Sequence, residues 1–383
     1  MLTSLLTEQR YHSSEPVSMT GTIVGMLKTS FEQISPIAKA ARSGFLNTRA
    51  GKVKTPLFMP VATRGVVKGV PTDMVASTGA QILLSNTYHL HLQPGEKTIN
   101  KLGGLHAFNR WSGPILIDSG GFQVFSLAHV RKITEEGVQF KDPKTGDSLF
   151  ISPEKSIQIQ FRLGADIIMA FDDLTGLSPS ARQRTEEAVE RTHRWLLRCI
   201  SEFSKLTKDI EQSKRPLLFG ISQGGLDKKL RQKSLEFVQS QSVDGVAVGG
   251  LSVGESRQEM HGMLRFLSTL YDPNKVRYLM GVGDPIDFKF AIENGIDMMD
   301  CVMPTRNGRH GTVWAKNKKL NLKNLAFASD NKLIEKGCDC YTCSHGYSRA
   351  LLRHLFKVED PLAGTLASIH NLRYLARICE SYY

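Results

Sequence analysis

The sequence predicts an α/β fold, a (β/α)8 TIM barrel, and two observations lead to this prediction. Short apolar or β-branched segments recur about eight times, and most are followed by a segment whose apolar residues repeat with helical spacing. Polar and glycine residues stand where these segments end, on the face where barrel enzymes build their sites. Eight strands that alternate with helices fit a closed barrel better than an open doubly wound sheet.

The predicted strands are short and apolar, as expected for strands buried on both faces. They cover residues 56–61, 81–84, 114–117, 166–171, 217–221, 245–248, 276–280 and 296–303. Residues 182–203 and 228–238 are predicted as helices, and in the first of these Trp195 and Leu196 lie on the apolar side.

The flanking segments differ from this pattern. Residues 1–28 are polar and aperiodic and are predicted to be a mobile leader. A β-hairpin insertion is predicted near residues 130–152, after the third strand, because two alternating segments flank a turn there. The barrel itself is predicted to occupy residues 29–315.

The charge of the chain favours an anionic partner. Its 383 residues carry a formal charge of +12 and give a pI near 9.4, and a positive potential attracts phosphate. RNA, DNA and acidic membranes all satisfy this requirement. Because no apolar run is long enough to span a bilayer and the first residues lack a signal peptide, the expected location is cytoplasmic, without a membrane partner.

Residues 295–311 combine an acid with a basic segment. Asp300 lies in an apolar run, where a charged group loses its hydration unless it is paired or used chemically. The following segment, predicted as a loop, carries Arg306, Arg309 and His310 among glycines, and arginine donors match phosphate and base edges. This combination favours chemistry on a nucleic acid, although an acid that caps a turn beside a solvated loop has the same pattern.

Other polar residues recur at the ends of the predicted strands. These residues are Asp118, Asp172, Gln223, Gly249, Gly250, Gly281 and Gly283, together with Asp300. Turn formation explains many of the aspartates and glycines but not Gln223. The motif Leu116–Phe125 places an acid before two glycines and Phe122, which can stack on a planar ligand, and Met169–Asp173 ends in paired carboxylates.

Three closely spaced cysteines predict a zinc site. Cys338, Cys340 and Cys343 offer soft thiolate ligands, which in a reducing compartment indicate a metal rather than disulfides. The spacing leaves His345, His354 and His370 open as the fourth ligand, with a modest preference for His370. A site closed by four protein ligands is structural rather than catalytic.

Taken together, these motifs resemble the bacterial-type tRNA-guanine transglycosylase family, also called queuine tRNA-ribosyltransferase. The matching segments are DSGGFQVFSL, MAFDD, FGISQGG, VAVGGLSVGE, LMGVG, GIDMMDCVMPTRNGRHG, CDCYTC and IHNLRYL, between about residues 44 and 375. The resemblance implies a zinc-binding insert near the C-terminal end of the barrel, with residues 316–383 forming the zinc-binding subdomain and the final barrel helix. It also implies a homodimer and no catalytic cofactor.

The resemblance implies exchange of guanine at the wobble position of tRNAs with a G-U-N anticodon for a 7-deazaguanine, either 7-aminomethyl-7-deazaguanine or queuine. Asp300 would be the nucleophile and Asp118 the general acid and base. The implied base-binding residues are Ser119, Gly120, Gly121, Phe122, Asp172, Gln223, Gly250, Leu251 and Met280. The implied RNA-binding residues are Gly281, Val282, Gly283, Asp284, Pro285, Ile286, Asp287, Thr305, Arg306, Asn307, Gly308 and Arg309. One structural zinc ion per chain would be held by Cys338, Cys340, Cys343 and His370.

The chain departs from the family pattern in three places. Leu174 stands where many members have cysteine, in a motif whose second acid is shorter here, and this bears on the choice of base. Asp284 replaces a lysine on the implied RNA path, and one extra residue follows Cys343. A non-catalytic tRNA-binding subunit of the same fold is the alternative function, and the presence of both Asp118 and Asp300 favours the enzyme.

Overall fold

The computed structural model describes residues 30–36, 40–121, 131–142, 145–176, 182–316 and 318–383. The predicted leader and Phe122 lie outside these residues. Within them, no helix is both long enough and apolar enough to cross a membrane.

The strands follow the chain in this order: β1 Phe31–Pro36, β2 Arg42–Thr48, β3 Gly51–Thr55, β4 Leu57–Pro60, β5 Leu83–Asn86, β6 Ile115–Asp118, β7 Arg131–Ile133, β8 Val138–Lys141, β9 Ser148–Ile151, β10 Ile167–Met169, β11 Leu217–Ser222, β12 Gly245–Val248, β13 Val276–Leu279, β14 Met298–Cys301, β15 Thr312–Ala315 and β16 Lys318–Asn321.

The helices are α1 Thr72–Ala76, α2 Thr87–Leu92, α3 Glu96–Lys101, α4 Gly104–Asn109, α5 Pro153–Leu163, α6 Arg182–Thr207, α7 Lys228–Ser240, α8 Arg257–Leu267, α9 Pro285–Glu293, α10 Met303–Arg309, α11 Tyr341–Ser344, α12 Arg349–Lys357 and α13 Pro361–Glu380, with a 3-10 helix at Leu325–Phe327.

A parallel barrel forms the centre of the molecule. Over the described residues its eight strands pair in the order β4, β14, β13, β12, β11, β10, β6, β5. A parallel bridge between Val61 and Leu84 joins the two outer members of this order. The predicted α/β barrel is therefore confirmed, and each predicted strand coincides with an observed one to within a few residues.

Side chains of the barrel strands alternate between two cores. Met59 and Met298 belong to the cluster inside the barrel, whereas their neighbours Phe58 and Met299 belong to the cluster between strands and helices. Successive residues of a strand point to opposite faces, and both faces are covered here. This explains why the barrel strands appear in the sequence as continuous apolar runs.

Three antiparallel sheets accompany the barrel. Strands β1, β2 and β3 pair near its N-terminal face, where the buried Arg42 side chain binds the Asp297 carboxylate at 2.6 Å. Strands β7, β8 and β9 pair in the region predicted as a hairpin, so this insertion has one strand more than predicted. Strands β15 and β16 form a hairpin after α10.

The helix α13 comes after the cysteine cluster and packs against both α10 and the first barrel strand β4. The cysteine-bearing segment is thus inserted between the last barrel strand and the helix that covers it.

Candidate active site

Asp300 lies near the end of β14, at the C-terminal mouth of the barrel. The Tyr278 hydroxyl donates a hydrogen bond of 2.6 Å to its Oδ1 atom, and the Gly281 N–H donates a second bond of 2.9 Å to the same oxygen. Burial raises the pKa of the Asp300 carboxyl, and these two hydrogen bonds oppose that rise. Both donors bind Oδ1. Among the described residues, Oδ2 is therefore the Asp300 oxygen left available to react with an electrophile.

Asp118 is the last residue of β6 and is only 7% exposed. The Asn86 amide donates to its Oδ2 at 3.0 Å, while its buried Oδ1 has no partner among the described residues. Burial, followed by the negative charges of Asp172 and Asp300, raises the pKa of Asp118 to about 7. A carboxyl with such a pKa can both donate and accept a proton near neutral pH.

Asp172 follows β10 and is held by two side chains. Gln223 Nε2 donates to its Oδ2 at 2.7 Å, and the Ser119 hydroxyl donates to its Oδ1 at 3.1 Å. Burial is the largest influence on its pKa and raises it to about 6, against the opposing effect of these hydrogen bonds. A Cβ atom on Gly121 would lie 1.9 Å from Asp172 Oδ1, so only glycine fits at that position.

The second acid of the MAFDD motif has different partners. Asp173 is buried and accepts hydrogen bonds of 2.7 Å at each oxygen from Arg184 and one of 2.6 Å from Arg191. Both arginines belong to α6. The two neighbouring carboxylates therefore have different partners, because Asp173 anchors a helix while Asp172 binds Gln223.

The segment after β12 lies directly against Gln223. A Cβ atom on Gly249 would be 2.5 Å from Gln223 Nε2, and one on Gly250 would be 2.5 Å from its Oε1. Gly250 also has a φ of +65°, a conformation that favours glycine. The N–H groups of Ser252 and Val253 donate to the Glu255 carboxylate. Leu251 is buried beside this segment, and Met280 packs against the inner core.

Residues 281–287 form the turn before α9 and its first residues. Asp284 caps this helix by accepting the Ile286 N–H at 3.2 Å. Its carboxylate also binds Arg257 at 3.1 Å and Lys319 at 2.8 Å. The acid that replaces the expected lysine therefore brings together two cations from other elements.

The basic segment after β14 is helical rather than a loop. Residues Met303–Arg309 form α10, and a Cβ atom on Gly308 would lie 2.6 Å from the Ser368 hydroxyl of α13. Gly308 thus permits close packing of two helices instead of giving a loop its flexibility. Arg306 is exposed and Arg309 half-buried, whereas Thr305 and Gly308 are buried.

Three cysteines and one histidine form a buried cluster. The ligand atoms of Cys338, Cys340, Cys343 and His370 lie within 4.8 Å of one another. His370 Nδ1 is 3.5 to 3.7 Å from the three sulfurs, and its Nε2 is 2.7 Å from the Trp314 carbonyl oxygen. Because Nε2 donates to that carbonyl, the Nδ1 lone pair faces the sulfurs. The other two candidates, His345 and His354, are exposed and outside the cluster.

This Cys3His arrangement is compatible with a structural metal ion. Four protein ligands leave no open coordination position, and the soft thiolates favour tetrahedral zinc.

Two residues that the sequence analysis did not single out support the two central acids. Asn86 ends β5 and donates a hydrogen bond to Asp118. Its position as a polar residue at a strand end could have marked it as a candidate site residue. Tyr278 lies inside β13 and binds Asp300, but its sequence context resembles that of any buried strand residue.

Comparisons with known proteins identify similar chains. A family model described as "Queuine tRNA-ribosyltransferase" matches residues 38–382. The chain is 46% identical over 341 residues to a queuine tRNA-ribosyltransferase of Prochlorococcus marinus (strain MIT 9215), covering 89% of each chain. It is 48% identical over 343 residues to one of Fusobacterium nucleatum, again covering 89% of each. For one of Herpetosiphon aurantiacus it is 47% identical over 340 residues, covering 89% of this chain and 84% of the relative.

Proposed function

The chain belongs to the queuine tRNA-ribosyltransferase family, and from this premise we propose that it exchanges guanine at the wobble position of G-U-N tRNAs for a 7-deazaguanine. It is a pentosyltransferase, a tRNA-guanine transglycosylase of queuosine synthesis. The observation that carries the proposed mechanism is the pair of acids at one barrel mouth, Asp300 with an available oxygen and Asp118 with a pKa near 7.

In the proposed first step, Asp300 Oδ2 attacks the anomeric carbon of the wobble ribose. A C–O bond to the enzyme forms as the N-glycosidic bond breaks, and the electron pair of that bond leaves with guanine. Protonated Asp118 gives its proton to the departing base. A covalent ester between Asp300 and the tRNA remains.

The second step reverses these roles. The Asp118 carboxylate removes a proton from the incoming 7-deazaguanine, whose nitrogen then attacks the anomeric carbon and releases the Asp300 carboxylate. One C–N bond replaces the one that broke, so no oxidant or energy source is required.

We propose that Asp172, Gln223 and the backbone of Gly250 and Leu251 bind the polar edge of the base. The support is their contact with one another: Gln223 binds Asp172 at 2.7 Å, and Gly250 lies against the Gln223 amide. A carboxyl and an amide on one edge match the N–H and carbonyl groups of a guanine-type base. Ser119, Gly120 and Gly121 shape the adjoining wall, and Met280 covers one face of the ring. Stacking by Phe122 stays a prediction from the sequence.

We propose that two segments beside Asp300 hold the tRNA around the wobble nucleotide. The segment from Gly281 to Asp287 is supported by the Gly281 N–H bond to Asp300. The segment from Thr305 to Arg309 lies in the helix that begins two residues after β14, and its Arg306 and Arg309 supply phosphate-matching donors.

We further propose that the metal of the Cys3His cluster is zinc, one ion per chain, with a structural role. The enzyme is also proposed to be a cytoplasmic homodimer, for which the mass in solution is the direct measurement. The alternative of a non-catalytic tRNA-binding subunit is disfavoured, because binding alone requires neither Asp118 nor Asp300.

The decisive experiment is exchange of labelled guanine into an unmodified tRNA with a G-U-N anticodon. We expect label at the wobble position, and none in a tRNA with another base there. A denaturation-resistant protein–tRNA adduct should accumulate in the absence of free base. Tight tRNA binding without exchange or adduct would instead support the binding subunit.

A further inference from the structure

Arg231 is a fully buried cation. It lies in the first turn of α7 and is 0% exposed. Its guanidinium donates to three backbone carbonyl oxygens, those of Gly225 at 2.7 Å, Ser222 at 3.2 Å and Gly250 at 2.9 Å. Among the described residues it has no hydrogen-bonded acid. A buried charge without a countercharge is costly, so its presence requires an explanation.

The side chain remains charged under physiological conditions. Burial lowers the pKa of Arg231 to about 10, and the phenol of Tyr271 and the carboxylate of Glu255 oppose this shift. A guanidinium carries several donors in a rigid plane, and here these donors reach carbonyls of two different segments. A neutral side chain of similar size would leave those buried carbonyls with fewer partners.

The three carbonyls belong to the segments that carry the proposed base-binding groups. Ser222 ends β11 and directly precedes Gln223, and Gly225 lies two residues after Gln223. Gly250 directly precedes Leu251 on the loop after β12. Arg231 therefore connects these two segments through hydrogen bonds to their backbone. The Gly224 backbone also packs closely against α7, since a Cβ atom on Gly224 would lie 2.8 Å from the backbone nitrogen of Arg231.

The bond to Gly250 fixes the direction of a peptide plane. In a trans peptide the C=O and N–H groups point in opposite directions. Because the Gly250 carbonyl points at Arg231, the N–H of Leu251 points away from it. Gly250 has a φ of +65° and no Cβ, so few other constraints hold this plane.

We propose that Arg231 is a positioning residue that sets the orientation of the Gly250–Leu251 peptide and of the Gln223 loop, and thereby the affinity and selectivity for the base. This inference rests on the proposed function of the same cleft. Because Arg231 is fully buried, we expect it to act through these backbone groups rather than by contact with the base or the tRNA. Its loss should therefore weaken base binding more than tRNA binding.

The test compares Arg231→Met and Arg231→Lys with a matched control, Arg277→Met. Arg277 is also buried, at 8% exposure, has a pKa lowered to about 10 by burial, and donates to the carbonyl of Gly295 at 3.1 Å. It stands at the start of β13, away from the strand ends that form the cleft. Steady-state exchange gives KM for free guanine and for 7-aminomethyl-7-deazaguanine, and kcat, while filter binding gives Kd for tRNA.

We expect Arg231→Met to raise KM for guanine by about tenfold or more, with less than about threefold change in tRNA Kd. The ratio of kcat/KM between the two bases should also change. Arg231→Lys should recover part of the loss, because an ammonium keeps the charge but cannot reach all three carbonyls. Arg277→Met should lower the melting temperature and leave the KM for guanine unchanged.

A purely structural role for Arg231 predicts a different result. Arg231→Lys and Arg231→Met would then lower the melting temperature and keep wild-type KM values, as in the control, and this would overturn the proposal. If Arg231→Met does not fold, Arg231→Lys decides alone by the same criterion. Calorimetry of guanine binding to the wild type and to Arg231→Lys separates the positioning role of Arg231 from the proposed base-exchange activity. Guanine binding that weakens in Arg231→Lys supports the positioning role even if the wild type fails to exchange base.

Discussion

The Tyr278 hydroxyl and the Asp300 carboxylate are 2.6 Å apart, on neighbouring strands whose inner faces line the barrel. Tyr278 is buried two residues below the level of Asp300, since its strand partner is Met298. The phenol therefore binds the carboxylate from inside the barrel. This arrangement stabilises the charged form of an acid whose burial favours the neutral form.

Replacing Tyr278 by Phe should slow formation of the covalent adduct by roughly 10- to 100-fold, since a hydrogen bond to a charged group contributes about 1.5 to 3 kcal/mol. The bond lowers the pKa of Asp300, so its loss should raise that pKa further. The acid limb of the pH–rate profile should then move to higher pH. Single-turnover release of guanine measured against pH checks both effects, and an unmoved acid limb would contradict the assignment.

Replacing Asp300 by Asn should reduce base exchange by roughly a thousandfold or more, because the amide cannot form the ester. Binding of tRNA should remain close to that of the wild type, since the change removes no cation. A denaturing gel should show the adduct with the wild type only. Exchange at a near wild-type rate would exclude Asp300 as the nucleophile.

The raised pKa of Asp118 predicts a pH-dependent stability. In the folded state it binds its proton up to about pH 7, whereas in the unfolded chain it loses the proton near pH 4. The folded state therefore loses stability as pH rises between these values. Asp118→Asn should abolish exchange, and at pH 8 it should stabilise the protein by about 1 to 4 kcal/mol relative to its effect at pH 4.

Asp166 provides a control of opposite sign for this experiment. It is buried, yet hydrogen bonds from His106 and Arg49 hold its pKa below the usual value despite desolvation. Its stabilising contribution is present above the unfolded pKa and is lost on acidification. Asp166→Asn should therefore destabilise the protein more at pH 8 than at pH 3. Calorimetric melting of both variants across pH tests these signs.

Replacing His370 by Ala should remove most of the bound zinc, and His354→Ala should keep it. The free energy of unfolding should fall by on the order of 3 kcal/mol or more on loss of a structural metal site. Metal analysis of the purified proteins, with melting before and after treatment with a chelator, provides the measurement. Loss of zinc in His354→Ala alone would mean that the described cluster is not the metal site.

Two residues near the proposed base-binding groups are expected to influence which base is accepted. Val253 is half-buried on the segment that packs against Gln223, and Leu174 Cδ1 would lie 3.3 Å from a Cβ atom on Gly250. Both bases are expected to react, with 7-aminomethyl-7-deazaguanine as the first choice.

We expect the branched side chain of Val253 to crowd the bulky cyclopentenediol substituent of queuine. Val253→Gly should therefore shift the kcat/KM ratio toward queuine by roughly 10- to 100-fold, since relief of a methyl-sized clash is worth about 1 to 3 kcal/mol. Competition between the two bases on one tRNA measures this ratio directly. A ratio that does not change would mean that Val253 does not limit access to the pocket.

The barrel and the cluster of polar strand ends could be predicted because both depend on local patterns. Apolar runs mark each strand, and Asp300 stood out because burying an acid is costly. The helix at Met303–Arg309 could not be predicted, because proline and glycine in a short segment indicate a loop. Its stability comes from packing of Gly308 on α13, a contact between residues 60 positions apart.

The roles of the two acids in the MAFDD motif also depended on distant residues. Nothing local distinguishes Asp172 from Asp173. Arg184 and Arg191 bind the second acid from α6, while Gln223 binds the first from the next strand. The importance of Tyr278 and Arg231 could not be predicted for the same reason, because their partners lie on other elements.

The position of α13 has a consequence for how the chain is made. The helix that packs against the first barrel strand, Leu57–Pro60, spans Pro361–Glu380 and is made after all eight barrel strands. Domains generally fold as units during synthesis. We therefore expect folding of the barrel to be completed only after this helix has been made. His370 lies on that helix, so the metal cluster is also completed only then. Completion of the Cys3His cluster and covering of the strand Leu57–Pro60 therefore depend on the same helix and follow synthesis of the barrel strands.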